Sequence, residues 1–118
     1  MRTFLLNRLK SFVYAFRGAQ VLVSTQHNAR IHMAATVLVL VLGYRLDFTS
    51  GEWIAVMISF GMVWCAEALN TAIELLGDEI SLERRERIGR AKDVAAFAVL
   101  AAAIAAMIVG VIVLTRHL

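Results

Sequence analysis

Apolar and polar positions fall into four blocks along the chain. From about Thr3 to Thr25, Leu5, Leu9, Phe12 and Phe16 recur at helical spacing, flanked by Arg2, Arg8, Lys10 and Arg17. That pattern predicts an amphipathic helix lying in a membrane interface or docked on protein. Residues from about Ile31 to Leu46 are largely apolar. As a helix they span only ~24 Å, short for a ~30 Å hydrocarbon core, so His32 and Arg45 are expected to reach toward opposite interfaces. A turn follows at Asp47 to Gly51, and Trp53 stands where an interfacial aromatic anchor belongs. A second apolar helix is expected from about Glu52 to Ile80. After a charged loop from Ser81 to Arg90, with Gly89 as its breaker, a third is expected over about residues 92–115. Within that third block, Val94 to Leu114 carries no charge, spans ~31 Å and is rich in alanine, which favours close helix packing. The expected fold is an all-α membrane protein. One domain covers residues 1–118, with a surface helix at about 3–25 and membrane-crossing helices at about 31–46, 52–80 and 92–115.

Composition supports that reading. The chain has 118 residues, 60% of them hydrophobic, and no proline, more apolar surface than a soluble core of this size hides. The net charge of +3 invites a nucleic-acid reading, but the basic residues follow topology. Arg2, Arg8, Lys10, Arg17 and Arg30 precede the first span, and Arg84, Arg85, Arg87, Arg90 and Lys92 crowd the second loop. Arg45 and Arg116 stand alone on the other side. Basic residues mark the cytoplasmic side, so the N-terminus is expected in the cytoplasm, the C-terminus outside, and the chain in a bacterial inner membrane without a nucleic-acid partner. The N-terminal segment lacks the layout of a signal peptide. Cys65, the one cysteine, permits no disulfide within the chain and reads as a small packing residue.

One feature departs from the apolar pattern. Glu67, Asn70, Glu74 and Asp78 lie in the second membrane helix, within roughly 80° of one another at 100° per residue. A charge at the bilayer centre costs at least about 2.5–3.5 kcal/mol on insertion scales, so an aligned set points to function. Hard oxygen ligands of this kind suit Mg²⁺, which takes one or two carboxylates and leaves its other positions to water and phosphate. Lys92 and Asp93 enter the same interface, where a lysine can neutralise phosphate. Glu67, the deepest member, suits a general base facing a lipid hydroxyl, and Glu74 a metal shared with a soluble phosphate donor. The reaction class implied is phosphoryl transfer from a nucleotide to a hydroxyl held in the membrane. Each residue also has a plainer reading. Glu67 and Asn70 can join helices, Asp78 and Glu79 can form a solvated helix end, His27 and His32 can be interfacial, and His117 a terminal surface residue. Neither a G-x-x-x-x-G-K-[ST] loop nor the protein-kinase motif set is present.

The run Glu67-Ala68-Leu69-Asn70-Thr71-Ala72-Ile73-Glu74, followed by Asp78 and by Gly89-Arg90-Ala91-Lys92-Asp93, resembles the prokaryotic diacylglycerol kinase and undecaprenol kinase family. Tyr14-Ala15-Phe16-Arg17-Gly18 and Asn28-Ala29-Arg30-Ile31-His32 extend the resemblance over nearly the whole chain. It implies a homotrimer, one surface helix and three membrane helices per chain, and active sites shared between protomers. It further implies a kinase moving the γ-phosphate of ATP, with Mg²⁺, to a lipid hydroxyl. Glu67 would be the catalytic base with Asn70 beside it, both near the lipid together with Arg30. Glu74 would hold Mg²⁺, and Tyr14, Asp78, Lys92 and Asp93 would line the nucleotide site, with Glu83, Arg84 and Arg85 near base and ribose. The family's second metal-binding glutamate falls at Gln26, which keeps a carbonyl oxygen but not the charge. The Thr25-x-x-Asn28-x-Arg30-Ile31-His32 run and Glu52-Trp53 resemble the undecaprenol branch, with diacylglycerol the next candidate. Two other readings stay open: an inactive relative acting as a lipid-binding or interaction protein, and a small proton-coupled transporter using Glu67.

Overall fold

The computed structural model describes all 118 residues as four helices without a strand: α1 (Arg2–Thr25), α2 (His27–Arg45), α3 (Ser50–Ile80) and α4 (Glu86–Thr115). The first junction is a single residue. Gln26 adopts extended backbone, ending α1 and starting α2. Arg30 reaches back across it, donating from Nε to the Val23 carbonyl at 3.0 Å and from Nη2 to the Ser24 carbonyl at 2.7 Å. Those carbonyls have no partner within the helix, so the guanidinium caps α1.

The α2–α3 turn is tight. Asp47 takes a positive φ of 53°, which aspartate tolerates better than most residues. Thr49 then caps α3 reciprocally with Glu52. The Thr49 hydroxyl accepts from the Glu52 amide at 3.2 Å, and the Glu52 carboxylate accepts from the Thr49 amide at 3.4 Å. Gly43 lets this corner close, because a Cβ there would sit 2.6 Å from the Trp53 ring. Phe48, Val56 and Val113 pack here with Trp53 and Val109.

Two expectations change. Gly89 does not break the chain: α4 starts at Glu86 and runs through it. Glu86 sits in the first turn, and Arg90 Nη2 lies 2.7 Å from Glu86 Oε1, one turn on. An acidic N-terminus and an i,i+4 pair offset the helix propensity that one glycine loses. His117 is not a free terminal residue either. Its Nε2 lies 2.6 Å from Glu52 Oε2, and Phe48 stacks on its ring at 5.2 Å. A sequence separation of 65 hid this contact.

α3 and α4 form the principal pair, while α2 and α1 pack more sparsely on α3. Small residues set the approach: Ala95 and Ala102 on α4 are buried, as are Val56 and Val63 on α3. Yet only 13 of 118 residues are buried, and large apolar side chains such as Phe97, Met107, Ile54 and Leu69 are well exposed. The chain extends 50 × 46 × 21 Å, about two helix diameters thick. Such a slab has no soluble core. α3 and α4 are each long and apolar enough to cross a membrane. α2 is shorter, at 19 residues with polar residues in its first two turns and Arg45 at its end, and its sequence does not reach that standard.

Candidate active site

Glu67 is the most enclosed polar residue, 2% exposed in the middle of α3. Its surroundings are built by α2. Ala29 on α2 is completely buried. One turn along the same face, His32 Nε2 comes within 3.1 Å of Glu67 Oε1. A turn further, the Thr36 hydroxyl accepts from Trp64 Nε1 at 3.3 Å and donates to the His32 carbonyl at 2.6 Å. His32 was expected at the interface; the i, i+3, i+7 spacing of Ala29, His32 and Thr36 instead turns it inward.

Three buried oxygens in this region have no hydrogen-bond partner: Glu67 Oε1, Asn70 Oδ1 and Thr71 Oγ1. The His32 nitrogen is close to Glu67 Oε1 without being aligned to donate to it. An unsatisfied buried acceptor costs about 1–3 kcal/mol, and several on one helix turn mark a place where a ligand supplies the donors. Asn70 opens on the α4 side, into a groove of about 490 Å³ lined by Ala66, Leu69, Ile73, Ala91, Val94 and Ala98, in which Arg90 is the one other polar side chain. Ala66, Leu69 and Ala98 also line a second, more apolar groove past Gly61 and Cys65. The two grooves adjoin along the α3–α4 seam, sharing Ala66, Leu69 and Ala98.

A second centre lies at the charged end of the helix pair. Lys92 Nζ is 2.6 Å from Asp78 Oδ1. Gly77 makes that possible, since a Cβ there would stand 3.0 Å from Lys92 Cε and 3.1 Å from Ile88 Cγ2. A cavity of about 250 Å³ beside it is lined by Glu83, Arg84, Arg85, Gly89, Lys92 and Asp93. Arg84 Nη2 lies 3.9 Å from Asp93 Oδ2, a solvated pair of little energetic weight. Gly77→Val is therefore expected to push α4 from α3 and lower the thermal midpoint with helicity largely intact; a melt followed by circular dichroism checks this.

The chain thus brings Asp78, Glu83, Arg84, Arg85, Lys92 and Asp93 together at one end, and Glu67 and Asn70 a turn apart deeper in. About 16 Å of helix separates Glu67 from Asp78. Glu74 stands between, half-buried. Tyr14 is 62% exposed and carries only Arg17 over its ring, 5.7 Å from the centroid. Gln26 donates weakly to the Thr25 hydroxyl at 3.5 Å. The Tyr14 side chain makes no hydrogen bond to another candidate site residue within the chain, and the Gln26 carbonyl accepts from the Arg30 amide at 3.4 Å. No three metal-binding side chains converge. The oxygen donors of Glu74 and Gln26 suit a magnesium ion that brings phosphate oxygens and water for its remaining positions. The sequence reading missed His32 and Thr71 as site neighbours. A polar residue on the small-residue face of α2 was the available signal for the first.

Comparison with known proteins places the chain among relatives. The chain is 37% identical over 109 residues to the undecaprenol kinase of Bacillus subtilis (strain 168), covering 92% of this chain and 89% of that protein. It is 33% identical over 109 residues to the diacylglycerol kinase of Escherichia coli (strain K12), with the same two coverages. It is 39% identical over 105 residues to the diacylglycerol kinase of a Synechocystis strain, covering 88% of this chain and 60% of that protein. With residues 13–114 matching the prokaryotic diacylglycerol kinase model, the chain belongs to that family.

Proposed function

We propose that this ATP-dependent lipid kinase phosphorylates the hydroxyl of undecaprenol, with diacylglycerol the next acceptor. The observation that carries the reading is the pair of unpartnered buried oxygens one turn apart on α3, Glu67 Oε1 and Asn70 Oδ1, of which Asn70 lines an apolar groove. A lipid hydroxyl there donates to the Glu67 carboxylate. As its oxygen bonds to the γ-phosphorus, its proton passes to Glu67, and the bond from that phosphorus to the β-phosphate oxygen breaks to release ADP. Asn70 orients the hydroxyl. At the basic end, Lys92, held by Asp78, faces the phosphates, while Glu83, Arg84, Arg85 and Asp93 accommodate base and ribose. Glu74 and Gln26 would hold Mg²⁺, which supplies charge neutralisation on the phosphates when bound.

Support for undecaprenol comes from the groove itself. Beyond Asn70 and Arg90 its lining offers no polar side chain to answer two ester carbonyls, which a polyprenol does not have. The Bacillus relative, named for that substrate, aligns over nearly all of both chains. In this reading the chain crosses the inner membrane three times, α2 included, with a cytoplasmic N-terminus, α1 at the interface, and three protomers completing each other's sites. The isolation of Tyr14 from the other site residues within one chain fits such sharing, and Arg30 reaches the lipid only by leaving its cap on α1.

Competition between the two lipids in mixed micelles, read as lipid-dependent ADP release, tests the choice. The expected result is a higher kcat/KM for undecaprenol; a higher value for diacylglycerol would reverse the assignment. Gln26→Glu restores a charged ligand, so half-maximal activity is expected at several-fold lower Mg²⁺. An unchanged Mg²⁺ titration would remove Gln26 from the metal site.

A further inference from the structure

The Glu67 assignment uses one carboxylate and leaves its close neighbour without a task. His32 Nε2 is 3.1 Å from Glu67 Oε1, with the histidine side chain 23% exposed and the carboxylate 3% exposed. The imidazole therefore touches the buried carboxylate while keeping an open edge of its own. We propose that His32 is a positioning and proton-relay residue for Glu67, carrying to water the proton that Glu67 takes from the lipid hydroxyl. This rests on the reading of Glu67 as the base.

The geometry suits a relay more than a standing ion pair. A nitrogen 3.1 Å from a carboxylate oxygen, yet not aligned to donate to it, leaves Oε1 free to accept from the substrate. Once the hydroxyl proton has moved to Glu67, a small rotation of the His32 ring brings the Nε2 lone pair of the neutral imidazole into line to accept from the new carboxylic O–H. The proton passes to Nε2, the carboxylate is regenerated, and the imidazolium releases the proton at its exposed edge. No other reactant is required.

The backbone of His32 is held for this purpose. Thr36 donates to its carbonyl and is itself tied to α3 by Trp64. Among charged groups on the elements packed against α2, α3 offers Glu67 at contact distance, with Glu74 two turns away toward the charged end. α1 offers no carboxylate, and its cations, Arg2, Arg8, Lys10 and Arg17, all precede its last two turns. On α2 itself, Arg30 is turned onto the α1 carbonyls and Arg45 stands at the far end.

The test compares His32→Ala, His32→Gln and Glu67→Gln in the full-length protein in mixed micelles, measuring kcat from pH 5 to 8.5. Histidine is the side chain that ordinarily changes charge between about pH 5 and 8. For His32→Ala the expected result is a kcat loss of about 10-fold or more with KM for ATP within about two-fold. Added imidazole is expected to restore rate saturably. His32→Gln, which hydrogen-bonds but does not titrate, is expected to stay slow and to lose the parent's pH dependence in that range. A His32→Gln enzyme with the parent's rate and profile, or a His32→Ala enzyme indifferent to imidazole, overturns the relay. If either occurs while Glu67→Gln is inactive, the relay alone fails. An active Glu67→Gln enzyme removes the base assignment and the relay with it.

Discussion

Replacing Glu67 by glutamine is expected to lower kcat by about 10²–10⁴-fold while KM for ATP stays within about two-fold. Glutamine matches glutamate in shape and keeps one carbonyl oxygen, so it can still accept from the lipid hydroxyl. It cannot take the proton. The loss belongs to chemistry and not to folding. Glu67 is 2% exposed with one carboxylate oxygen unpartnered, an arrangement that opposes stability on its own. A neutral isostere is therefore expected to leave the thermal midpoint unchanged or raise it. Rate measurements under saturating lipid, together with a thermal melt in the same detergent, separate the two effects. A variant that loses rate in proportion to lost folded protein would assign Glu67 a structural role only.

The second large effect is expected at Lys92. Changing it to methionine keeps the stem and removes the charge, and kcat/KM for ATP is expected to fall about 10- to 100-fold. That range corresponds to losing a charge-assisted contact of about 1.5–3 kcal/mol to a phosphate. Stability behaves differently. The Lys92 and Asp78 side chains are 33% and 51% exposed, so solvent screens the pair and its contribution to folding stays below about 1 kcal/mol. The signature is a large kinetic loss beside a nearly unchanged melt. Titration with a nucleotide analogue checks it directly, and unaltered nucleotide affinity would move Lys92 out of the site.

Periodicity made the helices readable because each has its own solvent. α1 has an apolar stripe with cationic flanks, and α4 is apolar from Val94 to Leu114. The stripe from Glu67 to Asp78 stood out because charge inside an apolar helix is costly. Glu83, Arg84, Arg85, Lys92 and Asp93, which the resemblance puts near the nucleotide, line one cavity. What sequence could not give was contact between helices. Glu67 meets His32 where α2 packs on α3, and Lys92 meets Asp78 because Gly77 has no side chain. Both are contacts between helices, which spacing along a single helix does not show. The Glu52–His117 contact spans 65 positions and has no periodic signal. Gly89 misled for the opposite reason: local propensity suggested a break, and flanking charges carried the helix through it.

These features converge on one claim, that the protein moves the γ-phosphate of ATP to a lipid hydroxyl activated by Glu67. The most direct measurement supplies purified protein with γ-labelled ATP, Mg²⁺ and undecaprenol, extracts the lipid, and counts label in the organic phase, with Glu67→Gln in parallel. The expected result is labelled undecaprenyl phosphate from the parent protein and about 10²–10⁴-fold less from the variant. Absence of label in undecaprenol and in diacylglycerol alike, from intact protein that binds ATP, would contradict the account.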